Sequence, residues 1–483
     1  MLTVLAYSMV VVFMFLIMTK RLPALVALIV VPIVFGLIGG FGAELGPMML
    51  AGIKNLAPTG VMLMFAILYF GVMIDAGLFD PVVRLILKLV QGDPMKIVVG
   101  TAVLAMCISL DGDGATTYMI TVSAMLPLYK RLGMSRLVMA CVIMLAGGVF
   151  NILPWGGPTA RAASALGVDV SEIFLPMIPA MAVSALWVLF VSYVLGMRER
   201  RRLGVLAMPS RTAKAAPVGV LQPAGAGLAM AGGAPVYESH AHGMPAGRAE
   251  AQAAGAGPDA AAASLPEISL SAGTARPNLI WVNLLLTATL MVMLIMGALP
   301  LPALFMIFFA IAIMINYPGL EQQKERIASH AANVLPVVAL IFAAGIFVGI
   351  LQGTKMVDAI ATSVIAAVPA WMGPYLAIVT GLLSIPFTFV ISNDAFYFGV
   401  VPILAKAGEV YGITAAEIGR ASIIGQPVHL LSPLVASTYL LVGMSEVEFG
   451  DHQKFTLLWS ISAALVMLVA AVLFGVIPFM GNA

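Results

Sequence analysis

The chain has 483 residues, of which 61% are hydrophobic and 10% charged, with a formal net charge of +2. An ordinary soluble domain carries roughly 25% charged residues, so this composition excludes a water-soluble globule, and the small net charge argues against a nucleic-acid partner. The two cysteines, Cys107 and Cys141, both stand in apolar runs, which argues against a disulfide framework or a cysteine metal site.

Apolar stretches of roughly 17 to 25 residues recur along the chain, the length a helix needs to cross the hydrocarbon core. In the first half, residues 1–196, membrane helices are expected near 2–18, 22–40, 58–77, 136–153 and 174–196. The first reads as a retained helix and not a signal peptide, because no basic region precedes it and Lys20 and Arg21 follow it. Residues 97–128 are left over, with L-D-G-D-G-A-T-T at 110–117 too polar for a simple span. Lys96 precedes this segment and Lys130 and Arg131 follow it, so both ends fall on one side and it reads as a re-entrant hairpin.

Residues 197–277 open with R-E-R-R-R at 198–202 and continue as an Ala/Gly/Pro-rich tract without apolar periodicity, which reads as a disordered cytoplasmic linker. His240 and His242 within it read as parts of a solvated spacer. In the second half, residues 278–483, helices are expected near 279–296, 303–317, 331–350, 417–434 and 455–477. A second hairpin, residues 375–405, carries I-S-N-D-A at its tip, 391–395.

The halves repeat each other. Pro23 matches Pro302 at an offset of 279, and Asn55, Pro58, Gly71 and Asp80 match Asn333, Pro336, Gly349 and Asp358 at 278. Ser109 and Asp111 then match Ser392 and Asp394 at 283. Five crossings per half is an odd number, so the second half must run the opposite way. The expectation is an all-α polytopic membrane protein of two inverted-topology repeats, with about 10–12 transmembrane helices and two opposed re-entrant hairpins. The distribution of Lys and Arg puts both termini outside and the central linker in the cytoplasm, with Lys54, Lys355 and Lys406 in outside loops. The cytoplasmic (inner) membrane is the expected location.

Non-helical backbone at the depth of the tips survives only when buried in protein or lining a wet cavity. In the first tip Gly112 and Gly114 let the backbone approach a ligand, Ser109, Thr116 and Thr117 offer hydroxyls, and Asp111 and Asp113 suit a hard cation or a proton. In the second, Ser392 and Asn393 suit an anionic oxygen, Asp394 a cation or proton, and Tyr397 follows on the descending arm. Two helices look broken at matching places, P-W-G-G-P-T-A-R at 154–161 and Q-P-V-H-L-L-S-P at 426–433. Gly157, Thr159 and Gln426 lie at these breaks, where backbone groups are freed for ligands, and Arg161 could grip a carboxylate or pair with an Asp. His429 suits a proton relay, although a lone His in an apolar helix is more often a satisfied core residue.

Together L-D-G-D-G-A-T-T-Y, P-W-G-G-P-T-A-R-A and S-N-D-A-F-Y-F-G resemble the citrate–divalent metal:proton symporter family of the ion-transporter superfamily. The resemblance covers about 1–200 and 278–480 and leaves out the linker. It implies a secondary transporter, not an enzyme, that imports citrate complexed with a Mg or Ca type ion in symport with protons. The metal is then cargo and no resident cofactor is implied. The tips depart from the superfamily's Ser-Asn-Thr pattern by being acidic, which fits an anion that brings its own cation. Dimers occur across the superfamily, so a homodimer is an open expectation. Other readings are a coupled carrier of a dicarboxylate or gluconate, a cation/proton antiporter, a passive channel, and an intramembrane aspartyl protease, whose Gly-x-Gly-Asp motif is absent.

Overall fold

The computed structural model describes residues 2–19, 21–90, 92–204, 274–367, 369 and 371–481. The tract 205–273, with His240 and His242, lies outside the described residues. Among the described residues every regular element is a helix. The first half holds α1 (Leu2–Met18), α2 (Ala24–Ile38), α3 (Leu45–Asp75), α4 (Asp80–Val90), α5 (Pro94–Ile108), α6 (Gly114–Arg131), α7 (Arg136–Phe150), α8 (Gly157–Leu166) and α9 (Val170–Leu203). The second holds α10 (Ile280–Ile295), α11 (Leu301–Asn316), α12 (Leu320–Gly353), α13 (Met356–Ala367), α14 (Leu376–Val390), α15 (Val401–Glu409), α16 (Ala415–Ser422), α17 (Gln426–His429), α18 (Ala436–Ser445) and α19 (Phe449–Leu473). Among the described residues seven segments are long and apolar enough to cross a membrane, and four shorter apolar helices accompany them. The chain is a multi-pass membrane protein.

The repeat seen in the residues is a repeat of structure. Asn55, Pro58 and Gly71 lie in α3 and their matches Asn333, Pro336 and Gly349 in α12, while Asp80 opens α4 and Asp358 lies in the first turn of α13. The long helices α3 and α12 cross through glycine. A Cβ on Gly52 would lie 1.9 Å from the Gly345 carbonyl oxygen, and one on Gly349 would lie 2.3 Å from that of Met48. A Cβ on Gly71 would lie 2.6 Å from the His330 ring. With lipid as apolar as the side chains, such backbone approach supplies the van der Waals contact that holds the halves together.

The hairpins enter from opposite ends. At the base of the first, Asp93 caps α5 by accepting the Met95 amide at 3.0 Å and lies 3.8 Å from Arg200, while past its second arm the Ser135 amide reaches Glu199 at 3.0 Å. Both bases therefore sit at the last turns of α9. The second hairpin has its bases together at Gly373, Tyr411 and Gly481, where the Gly481 amide donates to the Pro374 carbonyl at 2.7 Å. At the start of α9, Arg420 of α16 reaches the Glu172 carbonyl at 3.0 Å and, by the same side chain, the Val476 carbonyl at 3.0 Å. The two hairpins thus belong to opposite ends of α9, and the topology of the repeats is inverted.

Several boundaries differ from the expectation. The helices expected from Pro58 and near 331 begin at Leu45 and Leu320, because an interior proline kinks a membrane helix without ending it when the alternative is unpaired backbone in lipid. Lys54 and Lys406 accordingly lie within α3 and α15 and not in loops. The linker expected from 197 starts later, since α9 continues to Leu203. Its basic last turn suits the negative end of the helix dipole, and Arg202 pairs with Glu199 at 2.7 Å and with the Gly133 carbonyl at 3.0 Å. The span expected at 417–434 is two pieces, α16 and the short α17, and α18 begins beyond it.

Gly349→Ala should lower stability by roughly 1–3 kcal/mol, the usual cost of overpacking. Thermal unfolding in detergent should register the loss, whereas Gly46→Ala, on the partner helix α3 but with open space around it, should not unfold earlier. Equal melting of both variants would contradict the crossing.

Candidate functional site

Four non-helical segments meet inside the bundle: the two hairpin tips and the breaks between α7 and α8 and between α16 and α18. In the first tip α5 ends at Ile108, a single tight turn covers Ser109–Asp111, Gly112 takes φ +80°, and α6 starts at Gly114. Only glycine is comfortable at that φ, and a Cβ there would also lie 2.6 Å from the Trp155 ring. Trp155, in the first break, donates from Nε1 to the Leu110 carbonyl at 2.9 Å. The tip is thereby fastened to the break. Gly114 faces Ser437 at the start of α18, with 3.5 Å between a would-be Cβ and the Ser437 Oγ.

The acids of the first tip do different things. Asp113 is the N-cap of α6, its carboxylate accepting the amides of Ala115 at 3.2 Å and Thr116 at 3.1 Å and the Thr116 hydroxyl at 2.7 Å. Its oxygens are occupied by its own helix. Asp111 is 6% exposed, and while Oδ1 accepts the Asp113 amide at 2.9 Å, Oδ2 is buried without a partner among the described residues. Ser109 and Thr117 share a hydrogen bond of 3.3 Å across the hairpin.

In the second tip Ile391 is extended and the Ser392 Oγ accepts the Ala395 amide at 3.2 Å, capping a π-helical turn at Ala395–Val400 that precedes α15. Pro402 has no N–H to give to a regular ladder just beyond this turn. Asp394 accepts a hydrogen bond from Arg161 Nε at 2.6 Å, and the two side chains are 18% and 23% exposed. A guanidinium expected on substrate and a carboxylate expected on a cation are therefore each other's partner. Gly157 makes room for the arginine, since a Cβ there would lie 2.5 Å from its Nη1.

A chain of amides and hydroxyls joins the breaks to the second tip. Asn151 Nδ2 donates to Gln426 Oε1 at 2.9 Å, and Gln426 Nε2 donates to the Tyr397 hydroxyl at 2.9 Å and to Asn393 Oδ1 at 3.4 Å. Tyr397 in turn donates to the Ser422 carbonyl at 3.4 Å. Other polar groups serve carbonyls that the breaks leave without a helical partner. Thr159 donates to the Ile152 carbonyl at 2.7 Å, Ser432 to that of Phe389 at 2.6 Å, and Thr438 to that of Leu430. His429 Nδ1 meets the Thr388 carbonyl at 2.6 Å, which requires the proton on that nitrogen. His429 is thus a buried side chain whose Nδ1 is spent on a backbone carbonyl.

The structure brings Arg161 to Asp394 and Asn393, Tyr397 and Gln426 to one another, but among the described residues no three His, Cys, Asp or Glu side chains gather around a point that could hold a metal ion. Asp111, Asp113 and Asp394 are not a shared cage. Asn151, Trp155 and Ser437 were missed by the sequence reading. Asn151 carried a signal, an amide at the end of an otherwise apolar helix just before a Pro/Gly cluster. Two cavities lie toward the ends of the bundle, one of about 250 Å³ lined by Gln352, Lys355, Asp358, Lys406 and Glu409 among others, and one of about 420 Å³ lined by Ser135, Arg136, Arg202, Glu446 and Asp451 among others. Neither is lined by the residues of the four segments.

Comparison with known proteins gives a consistent result. The family model described as "CitMHS: Citrate transporter" matches residues 13–425. A Bacillus subtilis (strain 168) protein named "Citrate transporter" is 56% identical over 479 residues, covering 99% of this chain and 100% of the relative. Another from the same organism, named "Mg(2+)/citrate complex secondary transporter", is 49% identical over 478 residues, covering 99% of each. Among solved structures, that of the Alcanivorax borkumensis YdaH transporter, described as having an unusual topology, is similar with a TM-score of 0.57 at 15% identity, covering 90% of this chain and 88% of the other. At that identity the likeness speaks for the fold alone. The full-length matches in sequence carry the assignment: this chain belongs to the citrate transporter family, a family of carriers and not of enzymes.

Proposed function

We propose that the chain is a secondary transporter that imports citrate as a complex with a divalent ion of the Mg or Ca type, in symport with protons, by alternating access. It acts in the inner membrane with both termini outside and the segment after α9 in the cytoplasm. The metal is cargo and not a resident cofactor. The observation that carries this reading is the meeting of four broken segments around side chains of both signs, Arg161 for a carboxylate and Asp394 and Asp111 for positive charge. Discontinuous helices at the repeat interface are where carriers of this architecture bind substrate and coupling ion. A relative 49% identical to this chain carries the name of a Mg(2+)/citrate complex transporter, which supports the metal-bearing substrate.

Asp111 is the residue best suited to the coupling proton. A carboxyl inside a membrane protein with one oxygen unpartnered gains by taking a cation, and the smallest cation needs no further ligands. Asp113 is less suited, because its oxygens already accept hydrogen bonds from the first turn of α6.

Proteoliposomes holding the purified chain should accumulate labelled citrate when Mg²⁺ or Ca²⁺ is present outside and the lumen is more alkaline than the bath. Uptake indifferent to metal would sink the metal-complex reading, and uptake indifferent to the pH gradient would sink proton coupling. Asp111→Asn should exchange citrate across the membrane while losing accumulation driven by the pH gradient. Asp113→Asn should keep gradient-driven uptake, since Asn also caps, whereas Asp113→Ala should cost about 1 kcal/mol in thermal unfolding. Loss of coupling in Asp113→Asn with Asp111→Asn unaffected would reverse the assignment.

A further inference from the structure

We infer that the Arg161–Asp394 pair is the element that selects a carboxylate already bound to a divalent cation over either partner alone, by being split between them. The inference rests on the metal-citrate reading above. Arg161 stands on α8 in the first repeat and Asp394 on the tip of the second hairpin, so their contact at 2.6 Å joins the two halves at the site. Each is largely shielded from water, and a guanidinium stays charged wherever it is placed.

Removing one member of a shielded pair leaves an uncompensated charge, which costs more than the pair itself contributes. A free citrate anion could take Arg161 only by stranding Asp394 next to several further negative charges. A bare divalent cation could take Asp394 only by stranding Arg161 beside a double positive charge. It would find few other ligands, because no three acidic, His or Cys side chains gather there among the described residues. Divalent ions of this type take six or more oxygen ligands. A metal–carboxylate complex avoids both penalties. Its cation arrives with ligands of its own and adds the Asp394 carboxylate, while a free carboxylate of the same molecule takes over the guanidinium. Discrimination thus comes from repulsive alternatives as much as from attraction. The arginine lies back over the first turn of α8, where its Nη1 is 2.5 Å from the place a Cβ on Gly157 would take, so a larger residue there would push the guanidinium from this position.

The test is equilibrium binding to the purified full-length protein, with labelled citrate measured in excess Mg²⁺ and in EDTA, and ⁴⁵Ca²⁺ measured without citrate. The native chain should prefer the complex over free citrate by about tenfold or more, the size expected when a charge is stranded. Asp394→Asn should bring that preference close to one while binding of free citrate persists or tightens. Arg161→Gln should lose citrate in both forms and gain ⁴⁵Ca²⁺ binding. Arg161→Gln with Asp394→Asn, which leaves no charge unpaired and so guards against a folding defect, should bind neither form with preference. A native chain that prefers the complex, together with an Asp394→Asn variant that prefers it equally, overturns the inference and leaves the proposed function standing. A native chain that binds citrate in neither form overturns both.

Discussion

Inside a bilayer no water is available to satisfy a backbone N–H or C=O, and the rest of this molecule depends on how it meets that condition where its helices stop half-way across. Every one of the four interruptions has a carbonyl served by a side chain: Leu110 by Trp155, Ile152 by Thr159, Phe389 by Ser432, Leu430 by Thr438. A further set of caps, Asp113 and Ser392, serves the amides that begin the next helical stretch. Much of the polarity visible in the sequence at these places is therefore spent on the backbone. The uncommitted remainder, the Asp111 Oδ2 and the exchangeable contact of Arg161 with Asp394, is small, and it is where chemistry with a ligand can occur.

The two halves share a path but not a set of charges. Ser109 and Asp111 occupy in the first tip the places of Ser392 and Asp394 in the second, yet one aspartate is buried with an oxygen that has no hydrogen-bond partner among the described residues and the other rests on an arginine from the opposite repeat. The difference lies in the broken helix that comes after each hairpin. P-W-G-G-P-T-A-R places a bulky ring over the first tip and a guanidinium under the second, while Q-P-V-H-L-L-S-P places an amide and an imidazole. A duplicated frame thus carries two different charge arrangements, a buried carboxyl with an unpartnered oxygen and an ion pair between the repeats.

Most of the architecture was legible in the residues, because apolar length and the constant offset of Asn, Pro, Gly and Asp between the halves report burial and helix crossing directly. Both hairpins, their tips and the two broken helices lie where the polar clusters pointed. Helix ends were harder to read. Pro58 looks like a first-turn proline in a sequence, and only the surrounding helix shows that the turns before it continue. Within the site, residue type did not disclose partnership. Asp113 and Thr116 look like ligands but close on each other at 2.7 Å, and Arg161 and Asp394 look like two binding groups when they are one pair. The Arg161–Asp394 pairing joins residues 233 positions apart and has no local signature.

The contact between Arg161 and Asp394 also bears on energetics across the membrane as a whole. Moving one elementary charge through a membrane potential involves about 2.3 kcal/mol per 100 mV. A guanidinium and a carboxylate held at 2.6 Å cancel to no net charge, so voltage does no work on this part of the empty site as it reorients. A carrier reorienting with this pair intact would not be held to one side of the membrane by the pair's charges, so any voltage dependence would have to come from what it binds.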